Sequence, residues 1–254
     1  MPPPYGTKAY WDARFQHEEK YEWLLPANSL NAVIREALLH HQTSGGGDGS
    51  APQILHIGCG SSDLSFQLRD LVASPRQITN VDYSPTAVQK CRLREAAALS
   101  ATTTSDPTST CDAISCAEDV PVLLPFTSPR NDVQPRQTDN DNEAGAAKTA
   151  LVHPAHLLAV HMAVLTPPRT GRWCALSYSD DRFSFMDPDS SSTAVDEDLL
   201  ERRFPDPRRF WKVERKERAT VAPPAAATGS GGHVVHQPEI AHWLYAMVRS
   251  NEMP

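Results

Sequence analysis

The spacing of hydrophobic and polar residues along this chain predicts an α/β protein in which short buried strands alternate with helices. Apolar residues recur at helical spacing within NSLNAVIREALLHH (28–41), which predicts an amphipathic helix. The apolar runs ILHI (54–57) and ITNV (78–81) are typical of short buried strands. Ser84 and Pro85 then provide the N-cap and the first position of a further helix.

The second half of the chain predicts further elements of the same kind. We expect a helix over 154–165, followed by strands over 171–178, 210–218 and 242–249. Other segments lack such periodicity, namely a linker at 44–52, a Ser/Thr-rich loop at 100–110, a polar tract at 128–148 and an acidic loop at 187–198. We therefore expect a single domain over 1–254 that carries a disordered insert at 128–148.

A glycine turn follows the first predicted strand. Gly58 and Gly60 have no Cβ, so the backbone can turn tightly there and approach a ligand closely. Asp82, 24 residues after Gly58, ends the second strand, where a carboxylate can hold two ribose hydroxyls. Because parallel strands end at the same edge of a sheet, these residues predict a nucleoside-binding crevice.

The missing third glycine indicates which nucleoside the crevice would hold. A dinucleotide fingerprint requires glycine or alanine at the position of Asp63, and a carboxylate there would repel a pyrophosphate. S-adenosylmethionine is a sulfonium compound without a phosphate, so the sequence favours it over NAD as the cofactor. Tyr83, directly after Asp82, agrees with this choice. The alternative is a purely structural glycine turn in another kind of α/β protein.

Composition argues against several other classes of protein. The net charge of −7 argues against a nucleic-acid partner, since phosphate binding depends on clustered Lys and Arg. We expect neither a signal peptide nor a membrane anchor, because no apolar run is long enough. The 5 cysteines lack the spacing of a metal site and, as reduced thiols, indicate a cytoplasmic protein, with the nucleus as the alternative.

Histidine and acidic clusters predict no metal site. His153, His156 and His161 have no paired carboxylate, and solvated helix histidines are more common than ligands. The acidic tract DNDNE at 139–143 lacks the central glycine of a calcium loop. We therefore assign no metal.

Four motifs together carry a family resemblance. YWDARF (10–15), YEW (21–23), LHIGCGSSDLS (55–65) and VDYS (81–84) resemble the seven-strand class I methyltransferases of the group that includes the elongation factor 1-alpha lysine methyltransferases. The likeness covers roughly residues 8–95. It implies a Rossmann-like doubly wound sheet, S-adenosylmethionine as the cofactor and an aromatic N-terminal lid over 8–41.

The resemblance also assigns roles to single residues. Trp11, Phe15 and Trp23 would lie over the cofactor, with Phe15 where the family usually has tyrosine. Gly58 would lie in the glycine turn, Asp82 would bind the ribose and Tyr83 would lie beside the adenine. These residues and Gly60 form the predicted cofactor site.

The similarity is patchy further along the chain. TSTCDAI (108–114) resembles a KGTLDAL segment that borders the family's active site, with Thr108 in place of lysine. Too few residues separate Asp82 from this segment to hold the family's third and fourth strands. Prolines interrupt VPVLLPF (120–126), which makes it a poor replacement for a central strand. We therefore predict a sheet of fewer than seven strands, an irregular segment over 100–148 and weak or absent catalysis.

The resemblance implies transfer of a methyl group to a protein lysine, with a translation elongation factor as the substrate. The catalytic candidates are Asp112 and Tyr21, which could line the channel for the lysine, although Tyr21 could equally be ordinary packing. One alternative is a catalytically impaired methyltransferase-like protein that only binds. The other is a small-molecule methyltransferase, because substrate choice depends on loops that here carry no pattern.

Overall fold

The computed structural model describes residues 3–18, 27–43, 51–98, 116–124, 148–187, 195–220 and 241–254. Helix α1 (Lys8–His17) contains the aromatic motif, and a 3-10 turn (Ala27–Leu30) leads into helix α2 (Asn31–Thr43). The second of these helices was expected from the periodicity of the sequence. The predicted site residues Tyr21, Trp23 and Asp112 lie outside the described residues, as do Thr108 and most of the polar tract at 128–148.

The glycine turn follows the first of two parallel strands, as predicted, but the expectation that both strands are buried is wrong. His56 is the one buried residue of the pair, because few elements of the described ranges cover the faces of these strands. Strand β1 (Ile54–Ile57) pairs with strand β2 (Ile78–Val81), with Ile54 opposite Ile78. Helix α3 (Leu64–Arg69) connects the two strands, and helix α4 (Pro85–Ala98) follows β2. Pro85 is the first residue of α4, and the Ser84 hydroxyl accepts a bond from the N–H of Ala87 at 3.5 Å. Local sequence signals, namely the two apolar runs, the glycine turn and the Ser84–Pro85 helix start, thus account for this half of the fold.

A three-stranded antiparallel sheet forms the second half. Helix α5 (Pro154–Leu165) has the predicted bounds and is followed by strand β5 (Arg172–Ser177) and the short helix α6 (Glu197–Glu201). Strands β6 (Trp211–Thr220) and β7 (Ala241–Arg249) close the chain, and β7 lies between β5 and β6. The predicted strands at 171–178, 210–218 and 242–249 are confirmed.

The middle of the chain corrects one prediction. Strand β3 (Val120–Leu124) pairs antiparallel with strand β4 (Lys148–Val152), so the expectation of an irregular segment over 100–148 is wrong at 120–124 and at Lys148. Pro121 is compatible with β3 because each strand of a two-stranded sheet has an outer edge, where no N–H is needed. The argument from proline applied only to a central strand.

The seven strands of the described ranges form three sheets, of two, two and three strands, rather than one. The α/β class is confirmed, but the single seven-stranded sheet is not formed by these residues. Within them β1 is hydrogen-bonded to β2 alone, and β3 does not fill the place on its other side. The prediction of a sheet with fewer than seven strands agrees with this arrangement.

Three apolar clusters hold the described elements together, and two of them pack against the three-stranded sheet. In one of these two, Leu30 of the turn before α2, with Leu64 and Leu68 of α3, packs against Leu176 of β5 and Leu244 of β7. Ile54 of β1 and Ile78 of β2 pack against the same cluster, so the parallel pair and the three-stranded sheet remove apolar side chains from water together, which is the main favourable contribution to folding. A second, aromatic cluster lies between α5 and the three-stranded sheet and includes Trp173, Phe183, Phe185, Phe210 and Trp211.

No helix in the ranges described combines the length and apolar character needed to cross a membrane.

Candidate functional site

The backbone of the turn after β1 requires its two glycines. Gly58 and Gly60 have φ angles of 67° and 52°, in the left-handed region that side-chain-bearing residues rarely adopt. The N–H groups of Gly58 and Cys59 both donate to the carbonyl of Val81, at 2.7 and 3.1 Å. The end of β1 is therefore tied directly to the end of β2, which places the turn beside Asp82.

Asp82 is held by backbone donors from both sides of the crevice. Its Oδ2 accepts the N–H of Gly60 at 2.8 Å, and its Oδ1 accepts the N–H of Ser84 at 2.7 Å. Burial raises the pKa of Asp82, while the N–H groups of Ser84 and Gly60 favour the charged form. Each carboxylate oxygen still has acceptor capacity for one hydroxyl, which suits the adjacent hydroxyls of a ribose.

The aromatic helix α1 is fixed next to this carboxylate. The Ser84 hydroxyl donates to Asp12 at 2.6 Å, and Lys90 of α4 donates to the carbonyl of Glu18 at 2.9 Å. Trp11 stacks on Phe15, with ring centroids 5.9 Å apart, and Phe15 is buried. The predicted site residues Trp11 and Phe15 therefore lie on a helix that is bonded to the end of β2.

Tyr83 directly follows Asp82 and is 61% exposed. An exposed ring at this edge is free to stack on a flat base. The described residues thus bring together six of the seven predicted cofactor residues on α1, the glycine turn and the end of β2. The remaining one, Trp23, is outside the described ranges.

One face of α4 supports the glycine turn, and sequence reasoning missed it. The thiol of Cys91 donates to the carbonyl of Gly60 at 2.8 Å. Arg94 donates to the carbonyl of Ser61 and forms an ion pair with Asp63. Ala87 on the same face is fully buried. The spacing of Ala87, Cys91 and Arg94, which places all three on one helix face, was the available signal.

The ion pair between Arg94 and Asp63 corrects the prediction that the Asp63 carboxylate would repel a pyrophosphate. Its carboxylate is buried and directed at the Arg94 guanidinium, so it is not an uncompensated negative charge in the turn. Repulsion of a pyrophosphate by Asp63 therefore does not distinguish between cofactors. The preference for S-adenosylmethionine over NAD depends instead on the missing third glycine and on similarity to known methyltransferases.

His56 of β1 forms a buried polar network beneath the turn. Its Nδ1 lies 3.0 Å from the Ser65 hydroxyl and 3.2 Å from Oδ1 of Asn80. Ser65 in turn donates to Asn80 at 2.6 Å. Burial lowers the pKa of His56 to about 4, although Asn80 counteracts this effect. The ring is consequently neutral at physiological pH.

This burial predicts an acid-sensitive fold. An unfolded histidine titrates near pH 6.5, so between about pH 6.5 and 4 the unfolded chain binds a proton that the folded chain does not. We expect the free energy of unfolding to fall as the pH drops through this window. His56→Met should remove about 1–2 kcal/mol of the loss between pH 7 and 5, as measured by urea unfolding. His161→Met, at an exposed position, is the control. Equal pH dependence in wild type and His56→Met would contradict the assignment.

The two histidines at the start of α5 make contacts that stabilise the fold. His153 caps the helix by accepting the N–H of Ala155 at 3.2 Å, and the ring of His156 lies 4.4 Å from that of Phe185. Among the residues described, no three His, Cys, Asp or Glu side chains cluster as metal ligands do.

The side chains present fit an adenosyl group. The carboxylate of Asp82 keeps two acceptor positions, the glycine turn permits close backbone approach, and Tyr83 offers an exposed ring. Residues 48–102, which include the glycine turn, both parallel strands and α4, match a family described as a methyltransferase domain. Such a domain implies a Rossmann-like class I fold and normally uses S-adenosylmethionine. The resemblance found in the sequence is thereby confirmed.

Three curated proteins are similar to parts of this chain. Methyltransferase srdJ of Neurospora crassa is 36% identical over 144 residues, which are 48% of this chain and 58% of that protein. The eEF1A lysine and N-terminal methyltransferase of Danio rerio is 32% identical over 94 residues, 36% of this chain and 12% of that protein. EEF1A lysine methyltransferase 4 of Mus musculus is 30% identical over 95 residues, 36% of this chain and 32% of that protein.

The chain thus covers less than two thirds of the length of each of these relatives. No solved structure gives a significant match.

Proposed function

We propose that this protein is an S-adenosylmethionine-dependent methyltransferase that modifies a protein lysine, with a translation elongation factor as the substrate. The observation that carries the proposal is the bond from the Gly60 N–H to Asp82, which joins the glycine turn to a carboxylate at the end of β2. The names of two relatives, which specify eEF1A lysine methylation, support this substrate. The cysteines within the described residues are free thiols, which favours a cytoplasmic location, with the nucleus as the alternative.

The residues of the chain supply binding, orientation and exclusion of water. When bound, S-adenosylmethionine supplies an electrophilic methyl group for in-line displacement. Asp82 would accept the ribose hydroxyls, and the glycine turn would allow close contact with the backbone. Trp11 and Phe15, which stack on each other on α1, would exclude water from one side of the crevice. The lysine must lose its proton before it attacks, and Asp112 and Tyr21 remain predictions for this step.

The attachment of α1 predicts the effect of a single substitution. Asp12→Ala removes the bond from the Ser84 hydroxyl that fixes α1 beside Asp82. We expect affinity for S-adenosylhomocysteine, measured by isothermal titration, to fall about fivefold, because one hydrogen bond contributes about 1 kcal/mol. Lys8→Ala is the matched control, since it breaks only the exposed ion pair with Asp12. Unchanged affinity in Asp12→Ala would show that α1 does not cover the site.

Transfer of a labelled methyl group tests the proposed activity. The purified protein is incubated with labelled S-adenosylmethionine and recombinant eEF1A, and an Asp82→Ala sample serves as the background. Label on an eEF1A lysine, found by peptide mass spectrometry and absent from the background, supports the proposal. Label on low-molecular-weight amines but not on eEF1A would replace the protein substrate with a small molecule.

One observation favours a second candidate, a protein that binds the cofactor without transferring its methyl group. Strand β1 has one hydrogen-bonded neighbour in the portion of the chain described here, and β3 pairs with β4 instead. A gap beside β1 would weaken the positioning on which transfer depends. Binding of S-adenosylhomocysteine without label on any substrate would support this candidate over the first.

A further inference from the structure

Two cysteine thiols meet at the glycine turn. Cys59 lies between Gly58 and Gly60 and is 1% exposed, whereas Cys91 of α4 is only half-buried. The Cys91 thiol lies 2.8 Å from the carbonyl of Gly60, the residue that follows Cys59, so the two cysteines are neighbours across the turn. No disulfide joins them. Both residues line a cavity of about 330 Å³ between α3, β2 and α4, which gives a small oxidant access.

The two cysteines differ in reactivity. The hydrogen bond from Cys59 lowers the pKa of Cys91, whereas the same bond and burial raise the pKa of Cys59. Cys91 is also the more exposed of the two, and the thiolate is the reactive form of cysteine, so Cys91 is the group that reacts first. Cys59 lines the same cavity and can act as the resolving thiol.

We propose that Cys59 and Cys91 form a reversible disulfide when the protein meets a peroxide. The Cys91 thiolate attacks one peroxide oxygen, the O–O bond breaks, hydroxide leaves and a sulfenic acid forms on Cys91. The Cys59 sulfur then attacks the Cys91 sulfur, the S–O bond breaks, and the Cys59 proton leaves with the hydroxyl group as water. Both cysteines are thereby oxidised, and the peroxide is reduced.

The disulfide would change the shape of the cofactor turn. It brings two sulfur atoms to about 2 Å from each other, closer than a hydrogen-bonded contact allows. Disulfide formation consumes the Cys91 S–H that donates to the Gly60 carbonyl, and it draws Cys59 towards α4. We therefore expect Gly60, the next residue, to shift away from Asp82. We expect the oxidised protein to bind S-adenosylhomocysteine at least tenfold more weakly. This effect rests on the proposed function, but formation of the disulfide does not.

The experiment treats the full chain with hydrogen peroxide and then blocks the remaining thiols. Peptide mass spectrometry without reduction should show a Cys59–Cys91 cross-link that dithiothreitol removes. Isothermal titration with S-adenosylhomocysteine on the same samples should show the loss of affinity and its recovery after reduction. Cys91→Ser should form no such cross-link, and peroxide should leave its affinity unchanged. Cys174→Ser, at a half-buried thiol of β5, should behave like the wild type.

Three outcomes separate the inference from the proposed function. A sulfinic acid on Cys91 with Cys59 unmodified, or cross-links only to other cysteines, would overturn the inference. Loss of affinity in Cys91→Ser after peroxide would also overturn it, since another group would then be responsible. A Cys59–Cys91 cross-link in a protein that binds no S-adenosylhomocysteine in either state would support the modification site and contradict the proposed function.

Discussion

Asp82→Ala is expected to weaken S-adenosylhomocysteine binding by more than tenfold. The substitution removes the two carboxylate oxygens that would accept the ribose hydroxyls, and a hydrogen bond to a charged group contributes about 1.5–3 kcal/mol. A loss of about 1.4 kcal/mol already corresponds to a factor of ten. The effect should be measured by isothermal titration on protein whose thermal unfolding has been checked.

Two further variants make the result decisive. Asp82 also accepts N–H bonds from Gly60 and Ser84, so its removal could loosen the turn itself. Asp82→Asn keeps the size of the side chain and an oxygen that can accept one of these two N–H bonds, so it should disturb the turn less than Asp82→Ala while still weakening binding. Asp70→Ala, at an exposed carboxylate after α3, should bind as the wild type does. A folded Asp82 variant with wild-type affinity would show that Asp82 is not the ribose ligand.

Arg94→Met should destabilise the folded protein by about 3 kcal/mol. It leaves the carboxylate of Asp63 buried without its partner, and breaking a buried ion pair from one side costs about 3–5 kcal/mol. The lower end of that range is expected because Arg94 is 30% exposed while Asp63 is 2% exposed. Natural domains have only about 5–15 kcal/mol of stability, so this is a large fraction. Urea unfolding followed by circular dichroism gives the measurement.

A double variant separates the buried charge from the loss of packing. Asp63→Asn combined with Arg94→Met removes the charge as well as its partner and should recover part of the lost stability. Arg92→Met, an exposed arginine on the same helix, should change stability by less than about 0.5 kcal/mol. An Arg94→Met protein as stable as Arg92→Met would show that the Asp63–Arg94 pair does not hold the turn.

The sequence predicted the cofactor half well because its signals are local. Alternating apolar runs, two glycines and the Ser84–Pro85 start of a helix each act within a few residues, and β1, the turn, β2 and α4 follow from them. The bounds of α5 were predicted for the same reason. The aromatic residues of α1 were assigned to the cofactor site from the family resemblance, because their spacing in the sequence does not reveal where they lie in the fold.

The features missed from the sequence depend on contacts between distant segments. Strand β4 follows a polar tract and exists through its pairing with β3, which no local pattern reveals. The argument from Pro121 assumed a central strand, whereas β3 has a free edge in a two-stranded sheet. The role of Asp63 was misjudged because Arg94 reaches it only once α4 packs over the turn.

Isothermal titration of the wild-type protein with S-adenosylhomocysteine tests the central claim most directly. The geometry of the glycine turn, Asp82 and α1 predicts saturable one-to-one binding at micromolar concentrations. Under the same conditions NAD should give no saturable heat, because the turn lacks the third glycine of a dinucleotide site. No heat with S-adenosylhomocysteine at high micromolar concentrations, or tighter binding of NAD, would contradict the assignment of a methyltransferase cofactor site.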